Sequence, residues 1–338
     1  MRDKSLDAVK GFAILLVMIG HCLVWNQMTD AVIYDAIDAI QMPLFMMVSG
    51  YLAGMGKRIE TSKTLWQVMS KRAVSYLLPF FSWLIITHPE DFLLEWKATL
   101  FQLDRGLWFL MVLFLVSCIV LFAEFFGRKF MKIPIIGICY LSLFAASRLG
   151  ITFLSPALVM EYMPYYVIAY LFTNDIRPYA KKMEWINKRK TTPVIGAVLL
   201  LSLMFFIYAT IGFDLVHVSS YKVLVIQMSA SLLGSFFVFC LVYFGATGVV
   251  KKGLAYMGGY TLEIYAMQYA LHFHFAEILN LPAKKLSLYS FEGVFWILIS
   301  LLLMGFLTFV TMFFVSKIPV LNFLLVGKRK HHSKICAK

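Results

Sequence analysis

Ten apolar stretches, each long enough or nearly long enough to cross a bilayer as a helix, divide the 338-residue chain. A hydrocarbon core of about 30 Å requires about 20 apolar residues in helical conformation. Apolar residues make up 61% of the chain and charged residues only 14%, which is far from the usage of soluble domains. We therefore predict an all-α, polytopic membrane protein with about ten transmembrane helices. The stretches are 8–25, 36–54, 73–87, 106–126, 133–149, 156–172, 192–212, 223–245, 258–279 and 293–315.

The cations between these stretches are distributed asymmetrically. With the N-terminus placed in the cytoplasm, 25 of the 31 Lys and Arg residues fall in cytoplasmic segments, as the positive-inside rule requires. This pattern predicts a multi-pass protein of the inner (cytoplasmic) membrane with both termini cytoplasmic. Short basic loops that face anionic headgroups also account for the net charge of +13, so membrane lipids, and no nucleic acid, are the expected partners.

No soluble domain is expected. The longest interruption, 173–191, is too short to build a core, so we predict one transmembrane domain over 1–338, with a core at 5–316 and a basic cytoplasmic tail at 317–338. The first stretch has no small-residue cleavage site after it, which favours a retained span over a signal peptide. The five cysteines lack metal-ligand spacing, and no metal site is predicted.

Two ionisable residues share one face of the first stretch. Lys10 and His21 are eleven positions apart, which is about three helical turns, or roughly 16 Å along the axis. Ionisable groups at membrane depth are costly, and they usually face the protein interior and serve a task. Imidazole is well suited to accept a proton near neutral pH. The structural alternatives are a snorkelling lysine beside its counter-ion Asp7 and a histidine that only bonds a neighbouring helix.

A proline interrupts the second stretch. Pro43 lies within Gln41-Met-Pro-Leu-Phe-Met-Met-Val-Ser-Gly-Tyr51, where it removes an amide donor and kinks or breaks the helix. Irregular backbone at membrane depth is tolerated where protein or a cavity satisfies it. The segment therefore predicts either an irregular helix that lines a pocket or a proline kink with a small Ser-Gly packing point.

These features occur in a recognisable order between residue 5 and about residue 275. The chain resembles the integral-membrane acyltransferase-3 family, in particular its polysaccharide and sugar O-acetyltransferase branch (fucose 4-O-acetylase-like). The segments that carry the resemblance are Leu6-Asp-x-x-Lys10-Gly11 followed by His21, Met42-Pro-Leu-Phe45, Ser49-Gly-Tyr51, Leu107-Trp-Phe-Leu110 and Gly258-Gly-Tyr-Thr-Leu-Glu-Ile-Tyr265.

The resemblance implies an enzyme that transfers an acyl group, commonly acetyl from acetyl-CoA, to a hydroxyl of a cell-envelope polysaccharide or lipid-linked sugar. The family's Arg/Lys-x10-His pair corresponds to Lys10 and His21, with the histidine as the expected catalytic residue. Its basic cluster before the third stretch corresponds to Lys71 and Arg72. Lys10 and this cluster are expected to attract the CoA phosphates, and no permanently bound cofactor is expected.

The chain departs from the family near its end. The family frequently has a histidine where this sequence has Gln268, and an amide forms hydrogen bonds but is no base at neutral pH. His272, one helical turn further on the same face, is a candidate replacement. A contact with the outer headgroup region is the alternative role for that histidine.

This interpretation gives the helix a direction. Lys10 lies near the cytoplasmic mouth, and neutral His21, further out, accepts the proton of a sugar hydroxyl and returns it to the departing thiolate. Direct transfer and a covalent acetyl-histidine intermediate are both open. The aromatic side chains among the candidates for substrate binding could instead form a belt at the membrane interface. The acidic candidate, Glu161, could instead form an ion pair with a cation such as Arg148. The candidate substrate-binding residues are Ser49, Tyr51, Trp108, Glu161, Tyr265 and Gln268.

A polytopic transporter or flippase of glycan precursors or small solutes is the alternative function. An intramembrane histidine and a broken helix also suit a transporter. Many transporters contain an internal repeat, and this sequence has no second copy of the Lys-x10-His or Met-Pro-Leu-Phe segment. The sequence therefore favours an acyltransferase.

Overall fold

The structure is a computed structural model that describes residues 3–56, 58–103, 106–176, 188–213, 221–272 and 287–327. Across these ranges the fold is helical and contains no β-strand, which confirms the predicted all-α class. The helices are α1 (Lys4–Trp25), α2 (Val32–Gly54), α3 (Ser62–Thr87), α4 (Phe92–Phe101), α5 (Trp108–Arg148), α6 (Pro156–Leu171), a π-helix (Phe172–Ile176), α7 (Lys188–Gly212), α8 (Tyr221–Gly245), α9 (Gly248–Gly258), α10 (Thr261–His272), α11 (Phe291–Lys317) and α12 (Pro319–Val326).

Seven helical segments among the described residues are long and apolar enough to span a membrane. They coincide with seven of the ten predicted stretches. The other three stretches are mostly helical where they are described. Helix α3 begins with a polar half, and α6 has only 16 residues. The ninth stretch includes the turn between α9 and α10 and continues beyond the described residues. The seven segments are Lys4–Trp25, Val32–Gly54, Trp108–Gly127, Met131–Arg148, Ile195–Gly212, Lys222–Gly245 and Phe291–Lys317.

Helix α5 contains a reversal of the chain. A straight helix of its 41 residues would extend about 60 Å. The segments that flank its two ends nevertheless meet, because the Leu154 amide donates to the Leu100 carbonyl oxygen at 2.7 Å. At Gly127 an added Cβ would collide with the backbone of Lys132, which places the turn there. One helix thus supplies two antiparallel spans.

A buried ion cluster fixes this turn. Lys132, whose residue is only 4% exposed, lies with its Nζ 2.6 Å from Asp175 Oδ1 and 3.4 Å from Glu124 Oε2. The Tyr170 hydroxyl donates to the same Glu124 oxygen at 2.8 Å. The π-helix after α6 carries Asp175, so the cluster joins the turn of α5 to the end of α6. Charges this deeply buried require such partners.

Helix α1 is central and packs against α2, α8, α9, α10 and α11. Its closest approach is to α9, where neither helix has room for a side chain. An added Cβ at Gly11 would collide with the carbonyl oxygen of Leu254, and one at Gly258 would collide with that of Asp7. The first and last segments of the family resemblance are therefore in backbone contact.

Helices α2 and α6 cross equally closely. Helix α2 is continuous through Pro43. Its Gly50 and Gly54, four positions apart, face α6, and an added Cβ at Gly50 would collide with the carbonyl oxygen of Tyr166. Small residues at this spacing allow helix backbones to approach in membranes. The Ser-Gly packing point is present, and the proline does not end the helix.

Replacing Gly50 by leucine is expected to force α2 away from α6 and to lower stability by about 1–3 kcal/mol or more, as overpacked cores do. Thermal unfolding in detergent micelles measures the loss. Gly305→Leu is the matched control, because no atom lies within 4 Å of a Cβ added to that glycine on α11. An equal loss in both variants would show that the close crossing is not the cause.

The chain continues past the expected core boundary at residue 316 into α12. The Trp83 indole on α3 donates to the Leu325 carbonyl oxygen at 3.0 Å, and Leu325 and Val326 are buried. Gly327 follows in a left-handed conformation, with φ +66°, which favours glycine after a helix. The segment expected as a basic tail thus begins with a helix that docks against α3.

Candidate active site

His21 is held by a residue from the far end of the chain. Its Nδ1 lies 2.7 Å from Oε1 of Gln268 on α10, and its ring stacks on Trp25 with 6.0 Å between centroids. In this amide orientation the oxygen accepts from Nδ1–H, and in the neutral imidazole Nε2 then carries the lone pair. A histidine in this tautomer is able to act as a general base through Nε2.

Gln268 contacts His21 through its side-chain amide and is 0% exposed. Its Nε2 is buried and has no hydrogen-bond partner among the described residues. The amide is therefore in direct contact with the catalytic candidate, and its expected role in sugar binding stays a prediction. His272 ends α10, and its side chain lies outside the described residues, so its suggested compensation for Gln268 also stays a prediction.

Lys10 is both paired and available to a cavity. Its Nζ lies 2.6 Å from Asp7 Oδ1, three positions earlier on α1. The side chain of Asp7 is 8% exposed and that of Lys10 is 23% exposed. The expected counter-ion is therefore in place, and the ammonium keeps a face toward the cavity described next.

A cavity of about 290 Å³ lies between α1, α2, α3, α5, α10 and α12. Three of the predicted site residues line it, namely Lys10, Ser49 and Tyr265. Helix α3 adds Ser75 and Tyr76, to which the sequence assigned no role. The remaining lining residues are Met42, Phe45, Leu52, Phe109, Leu110, Leu113, Thr261, Leu262 and Val326.

The cavity extends from the level of Lys10 toward His21. Tyr265 precedes Gln268 by three residues, or about 4.5 Å along α10. Because Gln268 contacts His21, the Tyr265 end of the cavity lies about one helical turn from the imidazole. The mostly apolar cavity therefore reaches from Lys10 to about one helical turn short of His21, which lies roughly 16 Å from Lys10 along α1.

Lys71 and Arg72 are adjacent in sequence but face different ways. The Arg72 guanidinium points inward and donates to the Tyr166 hydroxyl at 3.0 Å. Lys71 is exposed. Neither is among the described residues that line the cavity beside Lys10, although Tyr76, one turn from Arg72, does line it. A role for this pair in binding CoA stays a prediction.

The other predicted substrate-binding residues occupy two places. The Trp108 ring lies 5.1 Å from that of Tyr162, the neighbour of Glu161. Tyr51 packs instead against Phe239 of α8, with 5.6 Å between ring centroids. The structure therefore places Trp108 against Tyr162 of α6, and it places Tyr51 against α8. Arg148, the suggested ion partner of Glu161, lies over the Phe144 ring at 5.3 Å.

Two polar residues of α2 near His21 were not singled out from the sequence. Gln41 donates to Asp38 Oδ1 at 2.9 Å, and Gln41 Oε1 lies 3.0 Å from the Cβ position of Gly20, the residue before His21. Asp38 also interacts electrostatically with Glu161. The sequence did contain an indication of this site, because Asp38 is an acidic residue inside the second apolar stretch. Acidic residues at such positions are rare and usually functional.

The fold and the site describe a helical membrane protein in which a half-buried histidine, bonded to a buried glutamine, lies about one helical turn beyond a mostly apolar cavity. The sequence matches the acyltransferase domain family over residues 3–316, and the chain belongs to this family. It is therefore an acyltransferase, as the motifs and their order predicted.

Two curated relatives are similar to this chain. The nodulation protein NolL of Mesorhizobium japonicum is 31% identical over 324 residues, which cover 84% of this chain and 81% of the relative. The nodulation protein NolL of Sinorhizobium fredii is 41% identical over 88 residues, covering 24% of this chain and 23% of the relative. No solved structure matches the chain.

Proposed function

We propose that this protein is a membrane O-acyltransferase that moves acetyl from cytoplasmic acetyl-CoA to a hydroxyl of a cell-envelope polysaccharide or lipid-linked sugar. The observation that supports this most is the hydrogen bond between His21 and Gln268 at 2.7 Å, close to the end of a cavity that begins at Lys10. The proposal includes the inner membrane and a cytoplasmic position for both termini, on the basis of the charge distribution.

His21 acts as the general base in this proposal. Gln268 holds the imidazole through Nδ1–H, and Nε2 accepts the proton of the sugar hydroxyl while its oxygen attacks the thioester carbonyl. The new bond joins that oxygen to the acyl carbon, and the carbon–sulfur bond of the thioester breaks. The proton then passes from the imidazolium to the departing CoA thiolate, which restores neutral histidine.

The cavity suits the pantetheine arm of the donor. The extended arm is roughly as long as four residues of extended chain, or about 14 Å, close to the distance from Lys10 to His21. Carbon-rich walls accept its methylene and gem-dimethyl groups, while Ser49, Ser75 and Tyr76 offer hydroxyls to its amides. Lys10 at the other end provides a charge-assisted contact for a phosphate.

The acceptor sugar is proposed to bind polar and aromatic side chains that lie beyond the Tyr265 end of the cavity. Asp38 and Glu161 supply carboxylate oxygens that accept hydrogen bonds from sugar hydroxyls. Trp108 and Tyr162, with rings 5.1 Å apart, supply apolar faces for the carbon-bound side of a sugar ring. These four residues lie on α2, α5 and α6.

The experiment that tests the function is a census of acetyl esters in envelope glycans of cells with and without this chain. We expect a base-labile acetyl ester to disappear without the chain and to return when the chain is supplied again. If the glycans keep their acetyl esters but reach the surface in smaller amounts, the transporter or flippase is favoured instead.

Replacing Lys10 by methionine is expected to raise the KM for acetyl-CoA about tenfold or more, because a hydrogen bond to a charged group stabilises a complex by about 1.5–3 kcal/mol. Steady-state kinetics of the purified protein measure this value. With S-acetyl-N-acetylcysteamine, a donor without phosphates, the variant is expected to match the wild type. Lys251→Met, which removes a lysine bonded to Ser5 Oγ at 2.6 Å, is the matched control. A loss with both donors would contradict a phosphate contact.

Replacing Gln268 by methionine is expected to lower kcat about tenfold, the value of one hydrogen bond of about 1.4 kcal/mol, without changing the KM for acetyl-CoA. The substitution keeps the size of the side chain and removes the acceptor for the His21 Nδ1–H. Gln268→Glu keeps an acceptor and is expected to retain more activity than the methionine variant. Equal losses in the two variants would show that packing, and not the hydrogen bond, is responsible.

A further inference from the structure

We propose that Phe109 limits the acyl group of this enzyme to short chains, and that longer acyl thioesters are rejected by its ring. The inference rests on the proposed function, since it names the donors that the cavity selects. Phe109 is a specificity residue in this view, and it takes no part in proton transfer.

Three helices hold the Phe109 ring. Phe109 opens α5 and is 6% exposed. Its ring centroid lies 5.8 Å from that of Phe45 on α2 and 6.1 Å from that of Tyr265 on α10. The interplanar angles of 56° and 78° are tilted and edge-to-face arrangements, which aromatic pairs prefer. A ring fixed on both sides has little freedom to move aside for a longer ligand.

The rings of Phe45, Phe109 and Tyr265 lie where the acyl group of a bound donor is expected. All three rings line the cavity, and Tyr265 is about one helical turn from Gln268 and hence from the level of His21. The thioester carbon must approach the sugar oxygen that His21 deprotonates. An acyl chain on that carbon therefore lies against the aromatic end of the cavity, while the pantetheine arm extends back toward Lys10.

Added carbon atoms at this end of the cavity would meet packed apolar side chains besides the three rings. Met42 and Leu110 line the cavity beside the rings, and both are buried. Close-packed interiors respond to a single added methylene, and one methylene in an apolar pocket changes kcat/KM by roughly 10-fold or more. Two extra methylenes, as in butyryl, are then expected to cost about 100-fold.

The test compares acetyl-, propionyl-, butyryl- and hexanoyl-CoA as donors for the purified full-length enzyme, with the glycan that loses its acetyl ester in deleted cells as acceptor. For the wild type we expect kcat/KM to fall about 100-fold from acetyl to butyryl. Phe109→Ala, which removes six ring carbons, is expected to reduce that ratio at least tenfold. Phe109→Leu is expected to give an intermediate ratio, and it decides the matter if the alanine variant does not fold.

Phe122→Ala is the matched control, since it removes the same ring from an exposed position on the same helix and is expected to keep the wild-type ratio. If acetyl transfer is present but the Phe109 variants keep the wild-type ratio, the inference about chain length is wrong while the proposed function stands. If the wild type transfers no acyl group from any of the four thioesters, the proposed function itself fails.

Discussion

Replacing His21 by alanine is expected to lower kcat for acyl transfer by a factor of about 10²–10⁴, the usual contribution of a general base. The KM for acetyl-CoA is expected to change little, because the residues assigned to the donor lie along the cavity toward Lys10. His21 contacts Gln268 and Trp25 and is not among the described residues that line this cavity. Initial rates of the purified variant in proteoliposomes measure both constants.

His88→Ala is the control for the loss of a histidine as such. His88 follows the end of α3, where its Nδ1 lies 3.0 Å from the Thr87 hydroxyl, and its replacement is expected to leave acyl transfer unchanged. Both variants must unfold at the wild-type temperature for the comparison to hold. Wild-type turnover in His21→Ala would remove the catalytic assignment.

The wild type and the His21→Ala variant also distinguish direct transfer from a covalent intermediate. With the proton on Nδ1, the lone pair of His21 Nε2 has the chemistry either to accept a proton or to attack the thioester itself. Labelled acetyl-CoA without an acceptor sugar is expected to leave no label on the protein if transfer is direct. Label that is stable on the wild type and absent from His21→Ala would demonstrate an acetyl-histidine.

Replacing Lys132 by methionine is expected to destabilise the protein by about 1–3 kcal/mol, because the buried Glu124 carboxylate loses its cation while the Asp175 side chain is 33% exposed. Glu124 and Asp175, now held 3.4 and 2.6 Å from the ammonium, would be left close together without the lysine that joins them. The turn of α5 and the end of α6 are expected to separate. Denaturant unfolding in detergent measures the change in free energy.

Neutralising the whole cluster distinguishes charge from packing. The triple variant Lys132→Met, Glu124→Gln, Asp175→Asn removes the unpaired charges, and it is expected to recover most of the stability lost in the single variant. Lys251→Met serves as the control, since a lysine outside such a cluster is expected to change stability by about 0.5 kcal/mol or less. A triple variant as unstable as the single one would contradict the electrostatic explanation.

Membrane helices were predictable because their cause is local. A helix in lipid satisfies its own backbone groups and requires only a sufficient run of apolar residues, so seven of the ten expected stretches are recovered as spans. The turn at Gly127 was likewise placed correctly between two stretches. Helix α12 was not anticipated, because its eight residues are too few to span a membrane and are held by contacts with α3.

The candidate site was predictable only in part. Lys10 and His21 lie on one helix, where spacing in sequence gives spacing in space. Gln268 is 247 positions from His21, and no local pattern indicates that its amide oxygen accepts from the imidazole. Phe109 was part of a recognised segment, yet its position between Phe45 and Tyr265 depends on how three helices cross.

By itself, the sequence determined the helical membrane class, the approximate spans, the acyltransferase family and the histidine on the first helix, since these depend on composition, periodicity and the order of short segments. Only the tertiary structure decided which side chains share the cavity and which residue faces His21. Those contacts join helices from distant parts of the chain, and their geometry is set by close crossings at glycines such as Gly11 and Gly50, where the backbones themselves touch.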